Sequence, residues 1–261
     1  MIKLGASLAI IASVIGTSTA FAQNIPPVQF QQTIQPEKPN PDLVIHGFSL
    51  GLSVADARAV MEKNCGNADI KTETMNAMLP YKDIQVPAQP YTQSMSCAVN
   101  SSKNIKLTFT SPASGNVLSE ISIDDMGYHD PLHAPRVATV TSQVLAKYGQ
   151  NTSKTNQFEI MYDIDYYYKN GSLAKSVDND SGCLAVNYMD SLTHGDICLN
   201  VHMQIDTGDL RRPQEEQPIV DLTETLNNMK LMHVDKEAMI SQLRQAAEKA
   251  YAGTGNTKAD L

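Results

Sequence analysis

The spacing of apolar positions changes along the chain, and each change predicts an element. After Ser53 the apolar residues recur at intervals of three and four, at Val54, Ala57, Val60 and Met61. That spacing predicts a short amphipathic helix. Ser53 can cap its first turn, and Cys65 and Gly66 end it. A short strand over 44–50 is predicted before it.

Further along the spacing becomes two, which predicts β-strands. In the first half these lie around Leu79–Val86, Met95–Val99, Ile105–Thr110 and Ile121–Asp124. A second helix is predicted over Ala134–Tyr148, with Gly149 as its stop. Strands then return over Phe158–Tyr168, Ser172–Val177, Cys183–Asp190 and Ile197–Asp206, with Asn170–Gly171 as a hairpin turn. The sequence therefore predicts an α+β protein with two consecutive helix-plus-four-stranded antiparallel sheet units.

The remaining segments set the predicted boundaries. Residues 23–43 carry five prolines among polar residues and are predicted to be an exposed linker. The first unit is placed at 44–128 and the second at 129–210. A C-terminal helical segment is predicted at 219–252, with Leu222, Leu226, Met229, Met232 and Leu243 in its apolar stripe.

The first residues have the order of a secretory signal. Lys3 precedes an apolar stretch, and Ala20-Phe21-Ala22 closes it with small residues at the cleavage positions. We expect residues 1–22 to be a signal peptide cleaved after Ala22, which places the protein in the periplasm or outside the cell. The apolar stretch is removed by that cleavage, so no integral membrane segment is expected in the mature chain.

Four cysteines fit an oxidising compartment. They allow three connectivities, and local pairing predicts Cys65 with Cys97 and Cys183 with Cys198. In the second pair, each cysteine falls on the polar face of a predicted strand, so two neighbouring strands would bring the thiols together. A metal site is the weaker reading, because no Cys-x-x-Cys spacing is present.

Charge excludes one class of partner. The net charge of the chain is −8, and it becomes −9 without the single lysine of the signal. Nucleic acids and anionic membrane surfaces attract clustered lysine and arginine, so nucleic acid is excluded as a partner. The chain also has no tryptophan.

A family resemblance lies at Leu50-Gly51-Leu52-Ser53-Val54-Ala55-Asp56-Ala57. This stretch resembles the strand-Gly-x-Ser-helix opening of the family that includes small outer-membrane assembly lipoproteins and the tandem β-lactamase inhibitor protein. The resemblance covers about residues 44–206 and implies an exported protein with a helix packed on a four-stranded antiparallel sheet, twice in the tandem form. The chain departs from the family in lacking a lipid-attachment cysteine and in its long C-terminal helix, so no functional residue is carried over.

Candidate binding residues come from one strand face and one helix. Glu159, Asp163 and Asp165 share a predicted solvated acidic face with Tyr167, an aromatic side chain that can anchor a basic partner. The adaptable side chains of Met229 and Met232 can pack on the sheet, dimerise or dock in a partner.

The most enzyme-like stretch contains His129 and His133, which would share a face if the segment were helical. Pro131 between them favours a turn leading into the next helix. We therefore predict no catalytic residues, no metal site and no cofactor. The predicted function is non-covalent binding of an envelope or secreted protein. The alternatives are a metal-binding, small-ligand-binding or enzymatic protein using the His129 and His133 region, and a structural component of an envelope or secretion assembly.

Overall fold

The computed structural model describes residues 25–36, 43–128, 130, 132–157, 160–174, 197–205 and 213–254. The predicted α+β class is confirmed, with a helix at the C-terminal end. The helices are α1 (Val54–Cys65), α2 (Val137–Tyr148) and α3 (Met229–Thr254). Ser53 caps α1 as predicted, because its side chain accepts a hydrogen bond from the backbone N–H of Asp56.

The strands described are β1 (Lys71–Met75), β2 (Met78–Tyr81), β3 (Ile84–Pro87), β4 (Tyr91–Ala98), β5 (Lys103–Phe109), β6 (Leu118–Asp125), β7 (Ser153–Gln157), β8 (Met161–Lys169), β9 (Ser172–Leu173), β10 (Ile197–Ile205) and β11 (Ile219–Asn228). One antiparallel sheet has the order β1-β4-β5-β6-β11-β10-β8-β7, with β9 also paired to β8. Strands β2 and β3 form a separate hairpin. The predicted turn at Asn170–Gly171 joins β8 to β9, and both residues have positive φ.

The main core lies between one face of the sheet, here the inner face, and helices α1 and α2. Buried residues of the two helices pack against the inner side chains of β4, β5, β6, β11, β10 and β8. The opposite, outer face carries mostly polar side chains. This alternation of apolar and polar positions is what a sheet covered by helices on one side requires.

Strand β11 joins the two predicted units into one sheet, since it pairs with β6 on one side and β10 on the other. The prediction that the C-terminal helix covers 219–252 is wrong in its first part, because residues 219–228 form this strand. Helix α3 begins only after Asn228, whose side chain accepts a hydrogen bond from the backbone N–H of Leu231. Asparagine is a favoured residue at this capping position.

The described part of the predicted linker, residues 25–36, packs on the protein, which corrects the prediction of an exposed segment. Val28 forms a parallel bridge to Ala88, and Phe30 is buried. The backbone N–H and C=O of Gln31 both bond to the side chain of Gln242 in α3. This extended segment buries isolated apolar residues, and they help form a second core with α3 and the β2–β3 hairpin.

A disulfide joins Cys65, the last residue of α1, to Cys97 in β4, as predicted. Cys198 is also disulfide-bonded, and its predicted partner Cys183 lies outside the described residues, as do the signal segment and the strand predicted at 183–190. Within the described residues, no helix has the length and apolar character needed to cross a membrane.

Candidate functional site

Strand β8 was predicted to expose its acidic face, and this prediction is wrong for the residues that the structure describes. Asp163, Asp165 and Tyr167 are all buried, although they lie on the outer face. Tyr167 packs with Cys198, Ala174 and Met229. Since β8 lies inside the sheet, paired to both β7 and β10, its outer side chains gain neighbours that an isolated strand would not have. Glu159 lies outside the described residues.

The buried acids belong to a hydrogen-bonded cluster, here the outer network, formed by Asp163, Asp165, Asn200 and His202. The amide nitrogen of Asn200 donates to both carboxylates, at 3.2 Å to Asp163 and 2.8 Å to Asp165. His202 Nδ1 lies 2.8 Å from the same oxygen of Asp163. Because a carboxylate only accepts, Nδ1 must carry the proton. The network therefore fastens β8 to β10, and among the buried polar atoms described in it the oxygen of the Asn200 amide has no hydrogen bond.

The environment of the outer network shifts the pKa values of His202 and Tyr167. The hydrogen bond to Asp163 raises the pKa of His202, against the effect of burial. Burial raises the pKa of Tyr167, and Asp165 and Asp163 raise it further. These shifts have a structural explanation in the strand pairing, so the network supplies stability and no open binding surface.

The other predicted residues separate in space. Met229 and Met232 are both half-buried in the first turn of α3, Met229 against Tyr167. His133 and Asp130 form an exposed pair with Nδ1 and Oδ2 2.6 Å apart, and the backbone of Leu132 bonds to the same aspartate. His129 lies outside the described residues. Among the residues described, no group of three or more His, Cys, Asp or Glu side chains could hold a metal ion.

Another histidine–carboxylate pair lies on the inner face, and the sequence did not predict it. Glu224 is on β11, where its cross-strand neighbours are Ile123 and Val201, both buried. It is therefore a carboxylate in an aliphatic row of the core face. Placing a charge there is costly unless the charge is compensated. His46 Nε2 approaches Glu224 Oε2 at 3.4 Å.

A two-residue hairpin turn positions His46. His46 and Gly47 both have positive φ between Ile45 and Phe48, which bond to each other as a two-residue hairpin. Two positive φ values in succession define the type I′ hairpin turn. Helix α1 supports this hairpin through Asn64, whose amide donates to the backbone carbonyl of His46.

Helix α2 supports the same hairpin from its last residue, because the Tyr148 hydroxyl donates to the backbone carbonyl of Val44 at 3.2 Å. Burial raises the pKa of Tyr148, and Glu224 raises it further. Burial likewise raises the pKa of Tyr128, with Asp125 and Glu224 contributing. Glu224 therefore lies within electrostatic range of Tyr128 and Tyr148 and 3.4 Å from His46, and these four residues at the end of the inner face are here called the Glu224 pocket.

The carboxylate of this pocket is charged and incompletely bonded. Burial by itself would raise the pKa of Glu224, but His46, Lys147 and Lys103 together bring it below its usual range. Its Oε2 faces His46 Nε2 at 3.4 Å, a long contact for a hydrogen bond, and has no other donor among the described residues. The side chain of His46 is 38% exposed and that of Glu224 is 17% exposed. An ionised acceptor therefore lies just beneath an accessible imidazole.

Local features of the sequence suit each of the two segments that contain His46 and Glu224. His46 precedes a glycine, and histidine is among the residues that tolerate positive φ. Glu224 stands between Leu222 and Leu226 with threonines on either side, an alternation that also suits a strand. Nothing in the sequence showed that the two segments meet.

No protein-family model matches the chain, and no curated protein or solved structure is significantly similar to it.

Proposed function

We propose that this chain is an exported, non-catalytic protein that binds another protein of the cell envelope or of the secreted fraction. Export is supported by the order of charged, apolar and small residues in 1–22. The disulfide between Cys65 and Cys97 is compatible with it, since such bonds persist in oxidising compartments.

The connection between β6 and α2 carries the proposal of protein binding. Leu132 is 90% exposed and Met126 is 45% exposed, and they are two of the three large apolar side chains with high exposure among the described residues. Isolated exposed apolar residues are common, but here both occur in one short connection between a central strand and a helix. Binding residues often lie on loops that a rigid scaffold positions.

Tyr128 extends this surface toward the interior. It lies two residues after Met126, packs against the main core and is close enough to Glu224 for the carboxylate to raise its pKa. The exposed connection and the Glu224 pocket therefore form neighbouring parts of one region. We take Met126, Tyr128 and Leu132 as the contact surface of the proposed function, in place of the buried acidic face of β8.

The alternatives have less support in the described residues. His133 is already paired with Asp130 in a turn that leads to α2, which accounts for it without a metal or a substrate. Helix α3 buries Leu243 and Ala247 in the second core, so this part of its apolar stripe is used within the chain and not as an assembly element.

The proposal is tested by crosslinking at two matched positions in cells that produce the protein. A photo-crosslinking amino acid at position 132 is expected to capture a defined partner. The same amino acid at position 78 serves as control, because Met78 is also exposed, at 54%, but lies on the β2–β3 hairpin. Leu132→Asp is expected to abolish copurification of that partner, and Met78→Asp is expected to leave it unchanged. Capture of the same proteins at both positions would contradict the proposal.

A further inference from the structure

We propose that the groove holding residues 25–36 is a peptide-binding site, and that a second copy of the chain fills it with the same segment. Two copies then form a dimer by exchanging residues 25–36, here the exchange segment. This inference goes beyond the proposed function and does not depend on the contact surface at Met126 and Leu132. Its basis is the set of contacts by which the chain already holds this segment.

The first argument is that the groove binds an extended backbone. The N–H of Val28 donates to the carbonyl of Pro87 at 2.8 Å, and the carbonyl of Val28 accepts from the N–H of Gln89 at 2.9 Å. The exchange segment therefore runs parallel to the chain at the end of β3, where Val28 forms its bridge to Ala88. Addition of an extended peptide beside a strand is a common mode of peptide recognition, in which main-chain hydrogen bonds supply affinity.

The second argument is that a side chain of α3 binds the main chain of the segment. Gln242 accepts a hydrogen bond from the N–H of Gln31 and donates one to the carbonyl of the same residue, both at 2.8 Å. Further along, the N–H groups of Thr33 and Ile34 donate to the carbonyl of Ala113. These bonds use backbone atoms of the segment, so they hold an extended peptide whatever its side chains at these positions.

The third argument is a pair of apolar side chains two positions apart. Phe30 is buried and packs edge-on to Tyr91, with the ring centroids 6.3 Å apart. Val28 is half-buried in the same second core, and Gln29 between them is exposed. Successive side chains of an extended chain point to opposite sides, so this spacing places both apolar groups in the groove. The ligand class is therefore an extended peptide with apolar residues at alternate positions.

The fourth argument is that the walls of the groove are joined to each other without the segment. Asp235 of α3 is buried and accepts hydrogen bonds from the backbone N–H and the hydroxyl of Ser111, at 2.8 Å and 2.7 Å. Ser111 caps the short 3-10 helix Pro112–Ser114, which supplies the carbonyl of Ala113. The Tyr91 hydroxyl contacts Met239 Sδ of α3 at 3.6 Å. The exchange segment takes no part in these contacts.

A second copy is the occupant that these contacts favour. Its residues 25–36 make the same contacts in the groove as the chain's own segment, so exchange leaves the contact energy unchanged. Residues 37–42 join the segment to the rest of the chain and contain Pro39 and Pro41. Proline-rich connections are semi-rigid, which limits the effective concentration of the segment at its own groove. That concentration is on the order of millimolar for short flexible linkers, and dimers are expected as the protein concentration approaches it.

Peptide binding is measured with the full chain carrying Phe30→Ala, which removes the anchor of its own segment. The probe is a fluorescent peptide with the sequence of residues 25–36, followed by fluorescence anisotropy. Saturable binding is expected, at least about tenfold tighter to Phe30→Ala than to the unchanged chain, because the unchanged segment competes for the groove. Val28→Ala serves the same purpose if Phe30→Ala does not fold. No binding to a folded variant would overturn the site.

Matched substitutions locate the binding. In the peptide, Phe30→Ala is expected to weaken binding at least about tenfold through loss of a buried aromatic side chain, whereas Gln29→Ala should leave it unchanged. In the Phe30→Ala chain, the added change Gln242→Ala should weaken binding of the unchanged peptide. Gln245→Ala is its control, since Gln245 is exposed on the same helix, and should have no effect. Equal affinity within either pair would reject the groove as the site.

Exchange between copies is tested by mixing two variants with complementary defects. The Phe30→Ala chain has an intact groove and a weakened segment, and the Gln242→Ala chain has an intact segment and a weakened groove. Sedimentation is expected to show a mixed dimer at lower concentration than a dimer of either variant alone. Peptide binding without a mixed dimer would overturn the second copy as the occupant, and would make the groove a site for an extended segment of another protein.

Discussion

The carboxylates of two histidine–carboxylate pairs lie in neighbouring cross-strand rows of the same sheet, on opposite faces, and the two pairs differ in the length of their contacts. In the outer network, His202 and Asp163 are 2.8 Å apart and Asn200 donates to the same carboxylate oxygen. In the Glu224 pocket, His46 and Glu224 are 3.4 Å apart and Oε2 has no other donor among the described residues. The outer pair is also the more buried, with the His202 side chain 19% exposed.

The difference is between a network that ties two strands of the sheet together and a single contact between a turn and a strand. The hydrogen bonds of the outer network tie β8 to β10 and rigidify both strands, although Asn200 Oδ1 has no partner. The longer contact between His46 and Glu224 holds a turn against β11 less tightly. Histidine and carboxylate residues alone therefore identify no site, and the hydrogen bonds around them must be known.

Loss of the disulfide is expected to produce the largest effect on stability. Cys65→Ala with Cys97→Ala opens a loop with a sequence separation of 32 residues and should lower the free energy of unfolding by about 3 to 4 kcal/mol in the loop-entropy model. Because Asn64 next to Cys65 holds the His46 turn, amide exchange should accelerate at Phe48 more than at Asn200. Urea unfolding and hydrogen exchange measure the two effects, and equal acceleration at both sites would show that the disulfide does not support the pocket specifically.

Breaking the outer network is expected to have the next largest effect. Asp163→Ala removes the acceptor of Asn200 and His202 and should lower the free energy of unfolding by about 2 to 3 kcal/mol. Asp124→Ala is the control, since Asp124 lies in the same cross-strand row on β6 and has no hydrogen bond to a described side chain. A similar loss in both variants, measured by urea unfolding, would remove the structural role of the network.

A smaller effect is expected from the hydroxyl that holds the His46 turn. Tyr148→Phe removes the donor to the carbonyl of Val44 and should cost about 1 kcal/mol. Tyr166→Phe removes a comparable bond to the carbonyl of Gly149 and should cost about the same. Only Tyr148→Phe should speed amide exchange at Phe48. Faster exchange at Phe48 in both variants would mean that the Tyr148 hydroxyl does not specifically stabilise the turn.

The smallest effects are expected in the pH dependence, where the two pairs should act in opposite directions. The raised pKa of His202 means that its stabilising contribution is complete below the ordinary value of 6.5 and is lost as pH rises through the folded-state pKa. The lowered pKa of Glu224 means that its contribution is present above the ordinary value of 4.5 and is lost as pH falls through the folded-state pKa.

Urea unfolding across pH measures these contributions against variants that do not titrate. The stability difference between the protein and His202→Gln should shrink toward alkaline pH, whereas the difference for Glu224→Gln should shrink toward acid pH. A difference that stays constant with pH would mean that the pair concerned does not change its protonation on unfolding.

Part of the candidate site could be predicted from the sequence. The alternation of Asp163, Asp165 and Tyr167 placed them correctly on one face of a strand, yet periodicity does not tell whether a polar face meets water. That face became buried because β8 lies inside the sheet and Met229 at the start of α3 packs on Tyr167. The pairing of His46 with Glu224 brings together residues far apart in the chain, which no local pattern encodes.

The sequence by itself determined the elements whose signals are local. Helix α1 with its Ser53 cap, most of α2 and its end at Gly149, and the turn at Asn170–Gly171 follow from spacing and from residues suited to caps and turns. The α+β class follows from the alternation of helical and strand periods. These features depend on neighbours within a few residues, so they can be read along the chain.

Only the tertiary structure decided the state of residues 219–228. Leu222 and Leu226 are four positions apart, a spacing that fits one face of a helix and equally one face of a strand. The choice was made by β6 and β10, which supply hydrogen-bonding partners on both sides of β11. That pairing placed Glu224 on the inner face, where His46 approaches its carboxylate at 3.4 Å.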